Sequence, residues 1–133
     1  MEPAPKLPEF LSIDAGFARF APKAEATLEA AVEMIEAAIA FARESGIGGL
    51  LIDARELYGF PHPSVADRYW FVKRWAAASD EKVVLSFIQR PEMIDPGQIG
   101  VTMAANAGLT AYVTDNEPDA LRWLLANVAV EKR

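Results

Sequence analysis

The sequence predicts an α/β fold: a mixed, largely parallel five-stranded sheet with about four helices. Short apolar runs alternate with segments of helical period from Phe10 to Val128. Such alternation places parallel strands side by side through right-handed crossovers. The first two runs, Phe10 to Ile13 and Phe17 to Ala21, are separated only by Asp14-Ala15-Gly16. That spacing suits a tight turn, which makes the first pair antiparallel and the sheet mixed. A length of 133 residues is that of one domain, assigned to residues 9–129. Residues 1–8 are read as a flexible tail, because prolines at 3, 5 and 8 oppose helix and ladder alike.

The elements follow in order. Thr27 opens the clearest helix, where Leu28, Val32, Ile35 and Ile39 form a buried stripe and Glu29, Glu33 and Glu36 a solvated face. Gly46 ends that helix as a left-handed cap, with Ile47 covering the last turn. Leu50-Leu51-Ile52 is a continuous apolar run, expected of a strand covered on both faces. A loop through Gly59, Pro61 and Pro63 leads to Ser64, the predicted N-cap of a second helix, with Asp67 completing a capping box. This helix runs to about Ala78. Val83 to Ile88 is the next strand, stopped by Pro91. Asp95-Pro96 reads as N-cap and first position of a third helix, which carries Gly97 and Gly100 and is closed by Gly108. Ala111 to Val113 is the fifth strand. Thr114 or Asp115 is expected to cap the last helix, with Pro118 in its first turn and Leu121, Leu124, Leu125 and Val128 facing inward.

Composition excludes several function classes. Thirteen basic against nineteen acidic residues give a net charge of −6, which repels phosphate backbones and anionic lipid heads, so neither nucleic acid nor membrane is an expected partner. Cysteine is absent. Disulfides, a thiolate nucleophile and thiolate metal ligation are therefore absent too, and a reducing, cytoplasmic setting fits. The most apolar long stretch, Leu28 to Ala42, is interrupted by Glu29, Glu33 and Glu36 and cannot insert in a bilayer.

The candidates for chemistry are few. Gly46-Ile47-Gly48-Gly49 has glycines enough for a phosphate loop, but it follows a helix and opens a strand, the reverse of a dinucleotide fingerprint. His62 is the only histidine, too few nitrogen ligands for zinc. His62 and Ser64 lie two apart without an orienting third group, so a triad is not expected. His62 reads as a loop residue that can still line a site. Asp53, at the carboxyl end of a central strand, and Glu56 could pair for acid–base work or to hold magnesium, although a turn role for Asp53 is preferred. No catalytic residue, metal or cofactor is assigned.

The second helix is the unusual element. Val65, Tyr69, Val72 and Ala76 make one apolar face, while Trp70, Phe71 and Trp75 fall partly outside it, and Tyr58 and Phe60 lie just upstream. Either the helix is buried on two sides, or its aromatic surface meets a partner, a second subunit or an apolar ligand. Arg68, Lys73 and Arg74 make it locally basic.

The order of elements, together with Arg19-Phe20-Ala21-Pro22-Lys23, Leu51-Ile52-Asp53-Ala54, Arg90-Pro91-Glu92-Met93 and Thr114-Asp115 leading to Ala120-Leu121-Arg122-Trp123-Leu124, resembles the STAS family (sulfate transporter and anti-sigma factor antagonist). More narrowly it is similar to the SpoIIAA-like, or STAS/SEC14-like, branch over about residues 9–126. The resemblance implies a non-enzymatic module that binds protein partners through the loop before the second helix. It also implies an apolar ligand pocket, as in lipid-carrying relatives of the fold. Regulatory members carry a phosphorylated serine after an aspartate at that loop. Here Ser64 follows Pro63, and Val65-Ala66-Asp67 supplies no glycine, so Ser64 is expected to be a structural cap.

The expected function is thus a non-catalytic regulatory or protein-interaction module, with a protein partner or self-association expected. The alternative is a carrier or sensor of a small apolar, lipid-like ligand near the second helix. The candidate binding residues are Tyr58, Phe60, His62, Ser64, Trp70 and Trp75.

Overall fold

The computed structural model describes residues 7–131, so most of the predicted tail, 1–8, lies outside the described residues. Among the described residues the chain forms seven strands and four α-helices. β1 (Leu11–Asp14) and β2 (Phe17–Phe20) make the expected antiparallel hairpin, turned at Gly16 with φ +85°. β4 (Gly49–Asp53), β6 (Val84–Ile88) and β7 (Ala111–Thr114) then add in parallel, giving the order β1-β2-β4-β6-β7. The fold class is as the sequence predicts. A second, two-stranded parallel ladder joins β3 (Ala24–Glu25) to β5 (Leu57–Tyr58). No apolar alternation marks it, because each strand is only two residues long.

Each crossover from β2 onward moves the same way across the sheet. Right-handed crossovers of one direction stack their helices on one face. α1 (Leu28–Glu44), α2 (Val65–Ser79) and α3 (Ile99–Asn106) accordingly share a core with Phe20, Leu50, Ile52, Leu85 and Phe87. α4 (Glu117–Glu131) covers the opposite face, where Ala120, Leu124 and Val128 meet Phe17, Leu51, Val84 and Ile88. The alternation of Leu50 and Ile52 with Leu51 is the period-2 signature of a strand covered on both sides. Ser86, buried in β6, donates its hydroxyl to the Ala120 carbonyl at 2.8 Å, which satisfies its polar atom in the core.

The caps follow the local sequence. Thr27 caps α1 by accepting from the Ala30 N–H. Gly46, φ +73°, ends it, and the Ile47 N–H reaches back to the Ala42 carbonyl at 2.8 Å in a Schellman arrangement. The Gly46–Gly49 stretch is therefore a helix stop and strand start. Gly49 is needed for packing, since a Cβ there would collide with a Val128 methyl.

Three expectations need correction. Asp95-Pro96 does not open α3, because Asp95 to Gln98 form a turn closed by the Gln98 N–H to the Asp95 carbonyl at 2.9 Å. Asp-Pro-Gly is as good a turn sequence as a helix start, and here Gln98, in the left-handed region at φ +54°, separates the turn from the helix that follows. The helix begins at Ile99, whose N–H donates to the Asp95 carboxylate at 3.0 Å. At α4 the cap is Asn116, whose side-chain oxygen accepts from the Asp119 N–H at 2.8 Å, rather than Thr114 or Asp115. Leu125 is exposed and Ala120 takes an inward place.

Candidate functional site

Helices α1, α2 and α3 do not close completely over the sheet. A partly open cavity of about 140 Å³ remains between them. Its cause is visible in the lengths and side chains. α1 and α2 have 17 and 15 residues, whereas α3 has only eight, with Gly100 and Ala104 lining the gap. A short helix of small side chains cannot fill the space that its two longer neighbours leave.

The opposite wall is aromatic. Phe71 and Trp75 on α2 lie 4.6 Å apart between ring centroids, and Trp75 stacks at 5.3 Å on Phe87 from the sheet. The Trp75 indole N–H donates to the Val32 carbonyl of α1 at 3.1 Å, which fixes the ring and satisfies its polar atom. Half-buried Phe60 completes this side. Gln98, the exposed residue of the lining, marks the mouth, and half-buried Pro63 and Asp95 line the cavity as well.

Arg68 stands at that mouth and is only 9% exposed. Its Nε donates to the Pro63 carbonyl at 3.3 Å. Its Nη2 lies 3.4 Å from Nδ1 and 3.3 Å from Nε2 of His62. Near-equal distances to both ring nitrogens exclude alignment with either in-plane lone pair. The guanidinium therefore sits against the ring without a strong hydrogen bond to it. Among the described residues no carboxylate lies within ion-pair distance of Arg68, although nine other ion pairs form. Its hydrogen-bond partners are the Pro63 carbonyl and the His62 ring.

The predicted site residues fall into three groups. Phe60 and Trp75 line the cavity, and His62 touches it through Arg68. Tyr58 and Trp70 are exposed on the outside, Trp70 beneath the Arg74 guanidinium at 5.4 Å. Ser64 is a cap: its hydroxyl accepts from the Asp67 N–H at 3.0 Å, and the Asp67 carboxylate accepts from the Ser64 N–H at 2.9 Å. Trp75 is buried, at 7% exposure, so of the two alternatives for this helix it takes the inward one. The predicted apolar face of α2 is corrected. Val65 and Tyr69 are each 57% exposed, and the buried line is Arg68, Val72, Trp75 and Ser79. Those four residues have helical spacing, but an arginine at their head disguises the stripe in any hydropathy pattern. This is why the sequence reading counts Arg68 only among the residues that make the helix basic, and not as part of a site.

Asp53 and Glu56 do not act as a pair. Asp53 accepts the Arg55 backbone N–H at 3.2 Å and its guanidinium at 2.7 and 2.9 Å, the turn role expected of it. Arg55 also meets Glu117 at 3.1 Å, and Arg19 meets Glu117 at 2.8 Å. The Arg55 hydrogen bonds hold the Asp53 carboxyl below its ordinary pKa against the opposing effect of burial. Glu56 instead faces Lys23 at 3.7 Å. Among the described residues no group of three or more His, Asp or Glu side chains is placed to hold a metal ion. No helix among them is long and apolar enough to cross a membrane.

Comparison with protein-family models, with curated proteins and with solved structures found no match.

Proposed function

We propose that this chain is a non-catalytic binding module, STAS-like in design, that takes a small apolar ligand into the cavity between α1, α2 and α3. One observation carries the reading: an aromatic-walled, partly open cavity of about 140 Å³ in an otherwise close-packed core. Native interiors leave few voids larger than a water molecule. A dry engineered cavity of about 150 Å³ is enough to bind benzene. The size supports a ligand portion of one ring or a few methylenes, well below the roughly 300–1,000 Å³ of drug-sized pockets. The STAS-like design is supported by the element order, a hairpin followed by three parallel crossovers and a final helix on the other face.

A toluene titration followed by amide chemical shifts tests this. Perturbations confined to the cavity-facing parts of α1, α2 and α3 are expected. Saturating toluene that moves none of them would remove the reading.

A second reading, docking of a protein partner or a second copy, is favoured by the outer surface of α2 and its leading loop. There Tyr58, Val65, Tyr69 and Trp70 are exposed together. Trp70→Ala should abolish any self-association seen by sedimentation, if that surface is the contact.

A further inference from the structure

We infer that the cavity's ligand is an aromatic monocarboxylate, its ring against Trp75 and its carboxylate on Arg68. This rests on the cavity reading above and adds the chemistry at its mouth. Burying a cation is unfavourable unless an anion or strong acceptors compensate it. Arg68 is 9% exposed, yet its partners are one carbonyl and the face or edge of an imidazole. Elsewhere Arg19, Arg55, Arg74, Arg90 and Arg122 all meet carboxylates. Arg68 departs from that pattern, and it lines the apolar cavity.

A guanidinium presents five donors in a planar fork that matches a carboxylate. Nε and Nη2 are turned toward Pro63 and His62, while Nη1 makes no hydrogen bond among the described residues. A carboxylate at the mouth would supply the missing negative charge. The apolar part is assigned from the wall: the Phe71, Trp75 and Phe87 rings favour an aromatic over a plain aliphatic group.

Asp95 is the other charged residue lining the cavity, and it would repel an anion. Its carboxylate is already engaged by the Ile99 N–H at the start of α3, at 3.0 Å, where the helix dipole offsets its charge. Arg68 has no comparable compensation, so the balance at the mouth favours an anion.

The test compares three probes of one shape: 3-phenylpropionate, its neutral amide and the cation 3-phenylpropylamine. Binding is read by tryptophan fluorescence and by amide shifts at the cavity. The acid should bind at least about tenfold more tightly than the amide, the scale of one charge-assisted hydrogen bond. Arg68→Gln should remove that advantage while leaving toluene binding unchanged. Far-UV circular dichroism checks that the variant folds. If it does not, the acid-against-amide comparison on the unaltered protein decides alone. Equal binding of acid and amide would overturn the carboxylate assignment while the cavity reading stands. Tighter binding of the amine would give the mouth to Asp95 and overturn it likewise. Failure of every probe, toluene included, would take the cavity reading down with it.

Discussion

Gly100 offers the sharpest test of whether the cavity is kept open at a cost. It is the second residue of α3, lines the cavity and does not have a positive φ. A Cβ built on it meets nothing within 4 Å. Glycine in a helix interior is less favourable than alanine by roughly 0.5–1 kcal/mol, through backbone entropy. With no clash to offset that gain, Gly100→Ala should stabilise the protein by the same amount. For a urea slope of about 1–3 kcal/mol/M the midpoint should rise by roughly 0.2–1 M. Gly100→Leu adds three more carbons at about 0.8 kcal/mol each when fully buried, roughly 2.4 kcal/mol in all. The cavity is partly open, so about half of that is expected. The same side chain should occupy ligand space and abolish toluene binding. Urea melts and the toluene titration measure the two effects independently. A Gly100→Ala protein less stable than the parent would refute the backbone argument. A Gly100→Leu protein that binds toluene as before would refute the claim that α3's missing side chains make the cavity.

The remaining predictions address individual residues. Ser64→Ala should cost roughly 0.5–2 kcal/mol by thermal or urea melts, whereas Ser64→Asp should be nearly neutral because aspartate caps as well as serine; equal losses for both would exclude the capping account. Trp75→Phe should cost roughly 1–2 kcal/mol from the lost bond to Val32 and the smaller ring, while exposed Trp70→Ala should cost less than about 1 kcal/mol, and a reversed order would contradict their burial. Asp53 has a folded pKa below its unfolded value of about 3.9, so its contribution is present above that pH and is lost as pH falls through the lower folded value. Asp53→Asn should therefore be destabilising at pH 7, with a deficit that narrows in urea melts below about pH 4; a deficit independent of pH would show that the charge is not what Arg55 reads.

How much was legible depended on whether the signal was local. Ser64 and Asp67 form their capping box within one turn, so two residues three apart specify it. Gly46 before an apolar strand and Gly16 in the hairpin are equally local. Asp95-Pro96-Gly97 was ambiguous because the same residues suit a turn or a helix start, and only the geometry around Gln98 distinguishes them. The cavity was legible only as the apolar pocket near the second helix that the family resemblance implies; its cause was not. It arises from the difference in length between α3 and its neighbours, a comparison across three separate segments. The inward place of Arg68 was hidden for a related reason. Its line with Val72, Trp75 and Ser79 is the buried one, yet hydropathy assigns the inward face to Val65 and Tyr69, which are apolar and exposed.

The direction of the crossovers explains why a binding site belongs on the helical face. In open α/β sheets the usual crevice forms at the carboxyl ends of strands where the strand order reverses and helices leave to opposite faces. From β2 through β7 the order never reverses, and the three crossover helices share one face. At the carboxyl end of β4, where such a crevice would be sought, Asp53, Arg55, Glu117 and Arg19 join in an ion-pair chain that ties α4 to the sheet. Those carboxylates and guanidiniums neutralise one another, which leaves no uncommitted charge for a ligand. Arg68 is the opposite case: a buried charge whose hydrogen-bond partners are the Pro63 carbonyl and the His62 ring, set where the helical layer is thinnest. Recognition needs an uncommitted donor beside an accessible space, and among the described residues the Arg68 Nη1, which makes no protein hydrogen bond and is not sealed from solvent, lies beside the cavity between α1, α2 and α3.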